Sequence, residues 1–191
     1  MKIFFDLDEV FVDFVRGACE IHGVDHIQLQ QKRVEKQLWD IVPTISEMKM
    51  DETFNSEKFW APIHNQGGSF WASLKPTFWS LHLLEVINSH NLDWYLLTSP
   101  CLGVDVHIGK INWIHSFFGH TFDRFFITRH KEVFAGQGRI LIDDKPENID
   151  SFVKAGGVGY LFGSSPLASV LSRSNPVKAC DDFLLQMIAS S

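Results

Sequence analysis

Two aspartates, Asp6 and Asp8, stand one residue apart at the end of the apolar run Ile3, Phe4, Phe5, and two more, Asp143 and Asp144, close the run Ile140, Leu141, Ile142. Between them in the chain, Thr98 and Ser99 end a third apolar run over residues 94–97, and Lys131 follows shortly after a fourth over 124–127. Four carboxylates crowded together repel and raise one another's pKa unless a cation compensates them. An all-oxygen donor set suits Mg2+, which keeps several waters and shares itself with a phosphate, whereas zinc favours nitrogen or sulfur. The hydroxyls and the lysine then offer donors for the remaining phosphate oxygens. The chemistry this set can do is phosphoryl transfer. One aspartate attacks phosphorus to form an aspartyl-phosphate, and the second, two residues on, protonates the leaving oxygen and later activates water. A loose transition state asks mainly for placement and charge stabilisation, which the metal and the lysine supply.

These residues meet only if the runs that end in them lie side by side in a parallel sheet, because ligands of such sheets bind beyond the carboxyl ends of the strands. The pattern fits. Residues 2–7, 94–97, 124–127 and 139–142 read as buried strands, and GGVGYLF (156–162) supplies another. Helical spacing is expected over 10–22, ended by Gly23, and over 78–89, 110–118, 147–155 and 181–188. The alternation predicts an α/β fold with helices on both faces of a parallel sheet. From residue 25 to about 76 the texture changes to polar helical stretches carrying aromatics (28–39 and 46–60) followed by a Gly-rich link, HNQGGSFW. This predicts one domain of core 1–22 and 77–191 with a small helical cap, about 23–76, inserted after the first strand.

The composition sets outer limits. With 191 residues, 45% hydrophobic and 21% charged, the chain can bury a full core, and its net charge of -6 leaves no basic footprint for a large nucleic acid. A small phosphorylated molecule remains a compatible partner, since one metal ion and a few placed cations offset its charge. Cys19, Cys101 and Cys180 are odd in number and widely spaced, which predicts a reducing, cytoplasmic setting. No apolar segment approaches 18 residues, so no membrane association is expected.

DLDEV, LLTSP, a lysine ahead of the last acidic strand and LIDD resemble the four ordered motifs of the haloacid dehalogenase (HAD) superfamily. More narrowly, Val10, Asp13 and Phe14 after the first motif, TSP in the second, Lys110 and Trp113 followed by FFG, and ITRHK ending in Lys131 resemble the 5′(3′)-deoxyribonucleotidases. The resemblance covers residues 2 to about 148, with the cap matching loosely. It implies a HAD-like Rossmannoid three-layer fold and a magnesium-dependent phosphatase of nucleoside, in particular deoxyribonucleoside, monophosphates. Residue by residue it implies Asp6 as nucleophile and Asp8 as general acid and base. Magnesium would be held by the Asp6 carboxylate, the Asp8 carbonyl and Asp144, with Asp143 acting through water. Thr98, Ser99 and Lys131 would hold phosphate, assisted by Lys110. Phe14, Trp39, Phe70 and Trp71 would wall a base, where each stacking contact is worth roughly 1–3 kcal/mol. His130 stands where the family often has Asp, and AGQGR (135–139) is an extra piece before the last acidic strand.

Other readings compete. A DxD pair, a Thr-Ser before proline and a DD before a helix also serve as caps and turns. The same chemistry could act on a sugar phosphate, because the cap sets specificity. A signalling receiver domain also gathers acids, a hydroxyl and a lysine around magnesium, but there the paired acids come first and the lysine last. A binding protein without activity is disfavoured by the presence of both proposed catalytic acids. Pairing of the protein with itself as a homodimer is left open.

Overall fold

The computed structural model describes residues 1–36, 38, 40–101, 103–163 and 176–190. Five strands, β1 (Lys2–Phe5), β2 (Trp94–Thr98), β3 (Phe125–Ile127), β4 (Arg139–Asp143) and β5 (Val158–Leu161), form one sheet in the order β3-β2-β1-β4-β5. Every pairing is parallel, with Phe5 opposite Leu96 on one side and Ile142 on the other. β1 is central, and its Ile3, Phe4 and Phe5 are buried because a sheet covered on both faces removes alternate side chains in both directions. Phe4, Leu97 and Leu141 point to Phe152 of α8 (Pro146–Lys154). Ile3, Phe5, Leu96 and Ile142 point into the larger cluster, which includes Leu83 and Ile87 of α6 (Ser80–Ser89) and Val177 and Leu184 of α9 (Pro176–Ala189). The result is the expected α/β arrangement of helix, sheet and helix layers.

The first helix begins later than its apolar spacing predicts. Residues 9–11 form a turn, and α1 runs Phe14–His22, capped by the Asp13 carboxylate on Arg16 N and ended by Gly23 at φ 65. Val10, Phe11 and Val12 are apolar because the turn itself is buried. Its carbonyls are satisfied from outside: Trp79 Nε1 donates to Val10 O at 2.8 Å, and Thr77 N and Ser80 Oγ donate to Phe11 O at 2.9 and 2.7 Å. Asp13 N also donates to Lys75 O at 2.9 Å, so the chain that leaves at residue 13 returns beside it at residue 75.

Between α1 and Lys75, α2 (His26–Glu35), α3 (Val42–Lys49), α4 (Ser56–Gln66) and α5 (Gly68–Ser73) follow one another. The single helix expected over 46–60 is two helices, interrupted where Met50 turns to φ 51 and restarted by the Asn55 side chain accepting from Lys58 N. The expected Gly-rich link is not a loop. Its residues end α4 and start α5, and the second glycine is there for packing: a Cβ on Gly68 would stand 2.6 Å from Asp105 O. Asp105 and Gly109 belong to α7 (Val104–Phe118), which begins ahead of the expected residue 110. A Cβ on Gly109 would stand 2.3 Å from Gly68 O, so the two backbones touch where neither residue has a side chain. Among the described residues no helix is long and apolar enough to cross a membrane.

Candidate active site

Because β1, β2 and β4 are adjacent and parallel, the residues at their carboxyl ends converge. Asp6 N donates to Ile142 O at 2.8 Å and continues the ladder one step past β1, which places the Asp6 carboxyl beside Asp143 and Asp144. Single oxygens of these three acids lie within 4.8 Å of one another. Lys131 starts a 3-10 helix (Lys131–Phe134) and sends its ammonium beneath them, 2.7 Å from Asp6 Oδ1 and 2.6 Å from Asp143 Oδ2. Its contact with Asp6 is an ion pair by distance without the angle of a hydrogen bond, as Asp6 Oδ1 is buried and accepts none. Burial works against the Lys131 charge, but Asp6 and Asp143 outweigh it and hold its pKa above the ordinary lysine value.

The acids differ in how they are engaged. Asp143 is fully buried, and its two oxygens accept from Lys131 Nζ, from Lys145 N at 2.9 Å and from Asn148 Nδ2 at 3.0 Å each. Burial, with Asp6 beside it, still pushes its pKa up to about 6. Asp144, desolvated and facing Asp143 and Asp6, is raised well above the ordinary value. A divalent cation at this point would reverse that direction, because its charge would dominate the local field. The donor set fits one. Single oxygens of Asp6 and Asp144 lie within 4.8 Å of each other, and Asp143 is already saturated by donors, as suits a group acting through water.

Asp8 meets a second lysine. Lys110 Nζ donates to Asp8 Oδ2 at 2.5 Å and to Thr98 Oγ1 at 3.0 Å. Lys110 is 1% exposed, because α7 starts six residues ahead of the expected helix and carries it into the interior. Asp8 Oδ1 is buried without a hydrogen bond. Desolvation raises the Asp8 pKa, and Lys110 pulls in the opposite direction.

Asp6, Asp8, Ser99 and Asp144 line a cavity of about 730 Å³ together with Phe14, Trp60 and Trp71. The three rings form a stack: Phe14 lies 5.5 Å from Trp71 at 13° and 5.8 Å from Trp60 at 29°. Phe70 does not line this cavity. It packs edge-on behind Phe14 and Trp71 in the core, because the two neighbours on helix α5 project roughly 100° apart, and this corrects its expected place in the wall. Trp39 lies outside the described residues. His130 points at Glu132 in an exposed pair, and AGQGR turns through Gly136 and Gly138 into β4, so neither departure from the family pattern touches the acids.

Several lining residues escaped the sequence reading. Trp60 was one aromatic among many, and only its stacking on Phe14 distinguishes it. Arg33 is buried in α2, bound to Leu38 O and to Gln30 Oε1, and lines the cavity; a basic residue in a polar helix gave no signal. Glu9 stands at φ 57, accepts from Val15 N at 2.8 Å, and is pushed by burial, and then by Asp13, up to about 8. Asn148 could have been found from its position five residues after Asp143 on the first turn of α8.

The sequence matches the family described as 5′ nucleotidase, deoxy (Pyrimidine), cytosolic type C protein over residues 1–170. The chain belongs to this family. It is a phosphoric monoester hydrolase of the 5′-nucleotidase type. No curated protein matches the sequence. Solved structures share the fold at low identity. A hydrolase from Streptococcus pneumoniae TIGR4 is 18% identical with a TM-score of 0.54 over 90% of this chain and 97% of that one. A haloacid dehalogenase-like family hydrolase from Xanthomonas campestris is 12% identical with a TM-score of 0.52 over 100% and 94%. A HAD family hydrolase from Deinococcus radiodurans R1, with bound phosphate and sodium, is 16% identical with a TM-score of 0.50 over 90% and 86%.

Proposed function

We propose that this nucleotidase hydrolyses nucleoside monophosphates, deoxyribonucleotides foremost, to nucleoside and phosphate with magnesium, in the cytosol. The observation that carries the reading is a single cavity that joins the acid cluster of Asp6, Asp8 and Asp144 to a stacked aromatic wall of Phe14, Trp60 and Trp71. A phosphate needs the first and a base the second. The family description carries the words deoxy and pyrimidine, and the Deinococcus radiodurans R1 hydrolase has bound phosphate and sodium, which supports a phosphate ligand and a cation here.

Asp6 and Asp144, with the Asp8 carbonyl, would hold the metal, and Asp143 would reach it through water. Bound there, Mg2+ supplies charge neutralisation between the acids and the incoming phosphate. The remaining work falls to the chain. Lys131, raised in pKa and buried against Asp6, holds a positive charge where the phosphoryl oxygens crowd. Asp6 attacks phosphorus, and the bond from phosphorus to the ester oxygen breaks. Asp8 gives its proton to that oxygen and the nucleoside leaves. Asp8 then takes a proton from a water, whose oxygen attacks phosphorus, and the bond to Asp6 breaks to release inorganic phosphate. Thr98 is held by Lys110, and Ser99 faces the cavity beside it, so the phosphate has a hydroxyl donor at the β2 end.

The deciding experiment is phosphate release from ribo- and deoxyribonucleoside 5′- and 3′-monophosphates and from sugar phosphates, each with and without magnesium. Faster turnover of nucleotides supports the reading, and a preference for sugar phosphates would keep the chemistry but refute the aromatic wall as a base site.

A further inference from the structure

Trp71 touches more than the wall. One face stacks near-parallel to Phe14, and Lys110 Nζ stands 5.0 Å from the centroid of the same ring. That ammonium also bonds Asp8 Oδ2 and Thr98 Oγ1, so three separate elements meet on it: the turn after β1, the end of β2, and α5. A lysine only 1% exposed has little water to hydrate it, and an aromatic face then contributes more than it would at a surface.

The helix crossing is what permits this contact. A Cβ on Gly109, the residue before Lys110, would stand 2.7 Å from Trp71 Cβ as well as 2.3 Å from Gly68 O. With a side chain at position 109, α5 could not lie close enough to α7 for Trp71 to reach the neighbouring Lys110. Trp71 itself is 2% exposed and its position is set by this packing.

We propose that Trp71 is a positioning residue for the phosphate site, holding Lys110 Nζ through a cation–π contact where it spans Asp8 and Thr98. Wall and phosphate edge are then joined through one ring. The inference rests on the reading of Asp6, Asp8 and Lys110 as the phosphoryl-transfer site. It differs from the role of Trp71 as a base wall, because it predicts an effect on a ligand that has no base.

Inorganic phosphate is that ligand. Its binding to the magnesium-loaded protein, measured by titration calorimetry, is compared for wild type, Trp71→Leu, Lys110→Met and the double variant. Trp71→Leu is expected to weaken phosphate about five- to thirtyfold, the range of a desolvated cation–π contact. In the Lys110→Met background the same change is expected to add nothing, since the group it positions is gone. Trp71→Phe, which keeps a ring in the core, should fall between wild type and Trp71→Leu and keeps the test open if the leucine variant does not fold. Phosphate binding unchanged in Trp71→Leu would overturn the inference and leave only the wall. An equal loss in both backgrounds would overturn it too, as a general disturbance of the fold. Failure of the underlying site reading shows differently: wild type would bind no phosphate, or Asp6→Asn would hydrolyse as wild type does.

Discussion

Replacing Lys131 by methionine isolates what the buried ammonium does. Nζ stands 2.7 Å from Asp6 Oδ1 and 2.6 Å from Asp143 Oδ2, and none of the three side chains is more than 8% exposed. Methionine fills much of the same volume, so the packing change is small and the change of charge dominates. Two carboxylates are left buried and uncompensated, a loss of about 3–5 kcal/mol when one partner of a buried pair is removed. At about 2–4 °C per kcal/mol for a chain of this size, Tm should fall by roughly 6–20 °C in EDTA. Magnesium should then raise Tm more in the variant than in wild type, because the ion takes over a neutralising role that the lysine otherwise shares. The assay is a thermal melt of both proteins with EDTA and with magnesium, beside phosphate release. Turnover should fall by about 10²–10³, the loss typical of one charge-stabilising donor. A variant that melts within about 2 °C of wild type in EDTA would refute the argument that this charge is desolvated and paired.

The other predictions concern packing, pH and the wall. Gly109→Ala should cost about 1–3 kcal/mol, as overpacking does, and lower turnover as well, since Trp71 and Lys110 share the crossing; urea unfolding and phosphate release check the two effects. Without metal, stability should fall as pH rises from about 5.5 to 8. Glu9 and Asp143, raised to about 8 and about 6 from 4.5 and 3.8, bind protons in the folded protein that the unfolded chain has already released. His22, lowered by burial, opposes this only at the acid end, and magnesium should flatten or reverse the slope in pH-dependent melts. Phe14→Leu should raise the KM for nucleotides by an amount matching roughly 1–3 kcal/mol of stacking while leaving inorganic phosphate affinity nearly unchanged, a comparison made by steady-state kinetics and calorimetry.

The candidate site's edge of the sheet was legible because its chemistry and its strands coincide in the sequence. Asp6, Thr98 and Asp143 each stand at or just past the end of an apolar run, and parallel neighbours bring such ends together without further information. Gly23 likewise ends α1 where the helix was expected to stop, in a left-handed conformation. What was not legible depends on contacts distant in the chain. Val10, Phe11 and Val12 have helical spacing, yet the carbonyls of Val10 and Phe11 find Thr77, Trp79 and Ser80, and a buried turn results. Gly67 and Gly68 read as a link because the chain alone does not show that Asp105 and Gly109 face them from another helix. The same crossing explains Lys110, whose burial depends on α5, and Trp60, whose stacking on Phe14 only the folded insertion creates.

The most direct test of the central claim is phosphate release from deoxyribonucleoside 5′-monophosphates by wild type and Asp6→Asn, side by side with magnesium and with EDTA. The geometry predicts turnover that requires magnesium and disappears in Asp6→Asn while the variant still melts cooperatively. Hydrolysis that continues in Asp6→Asn, or that proceeds unchanged in EDTA, would contradict it.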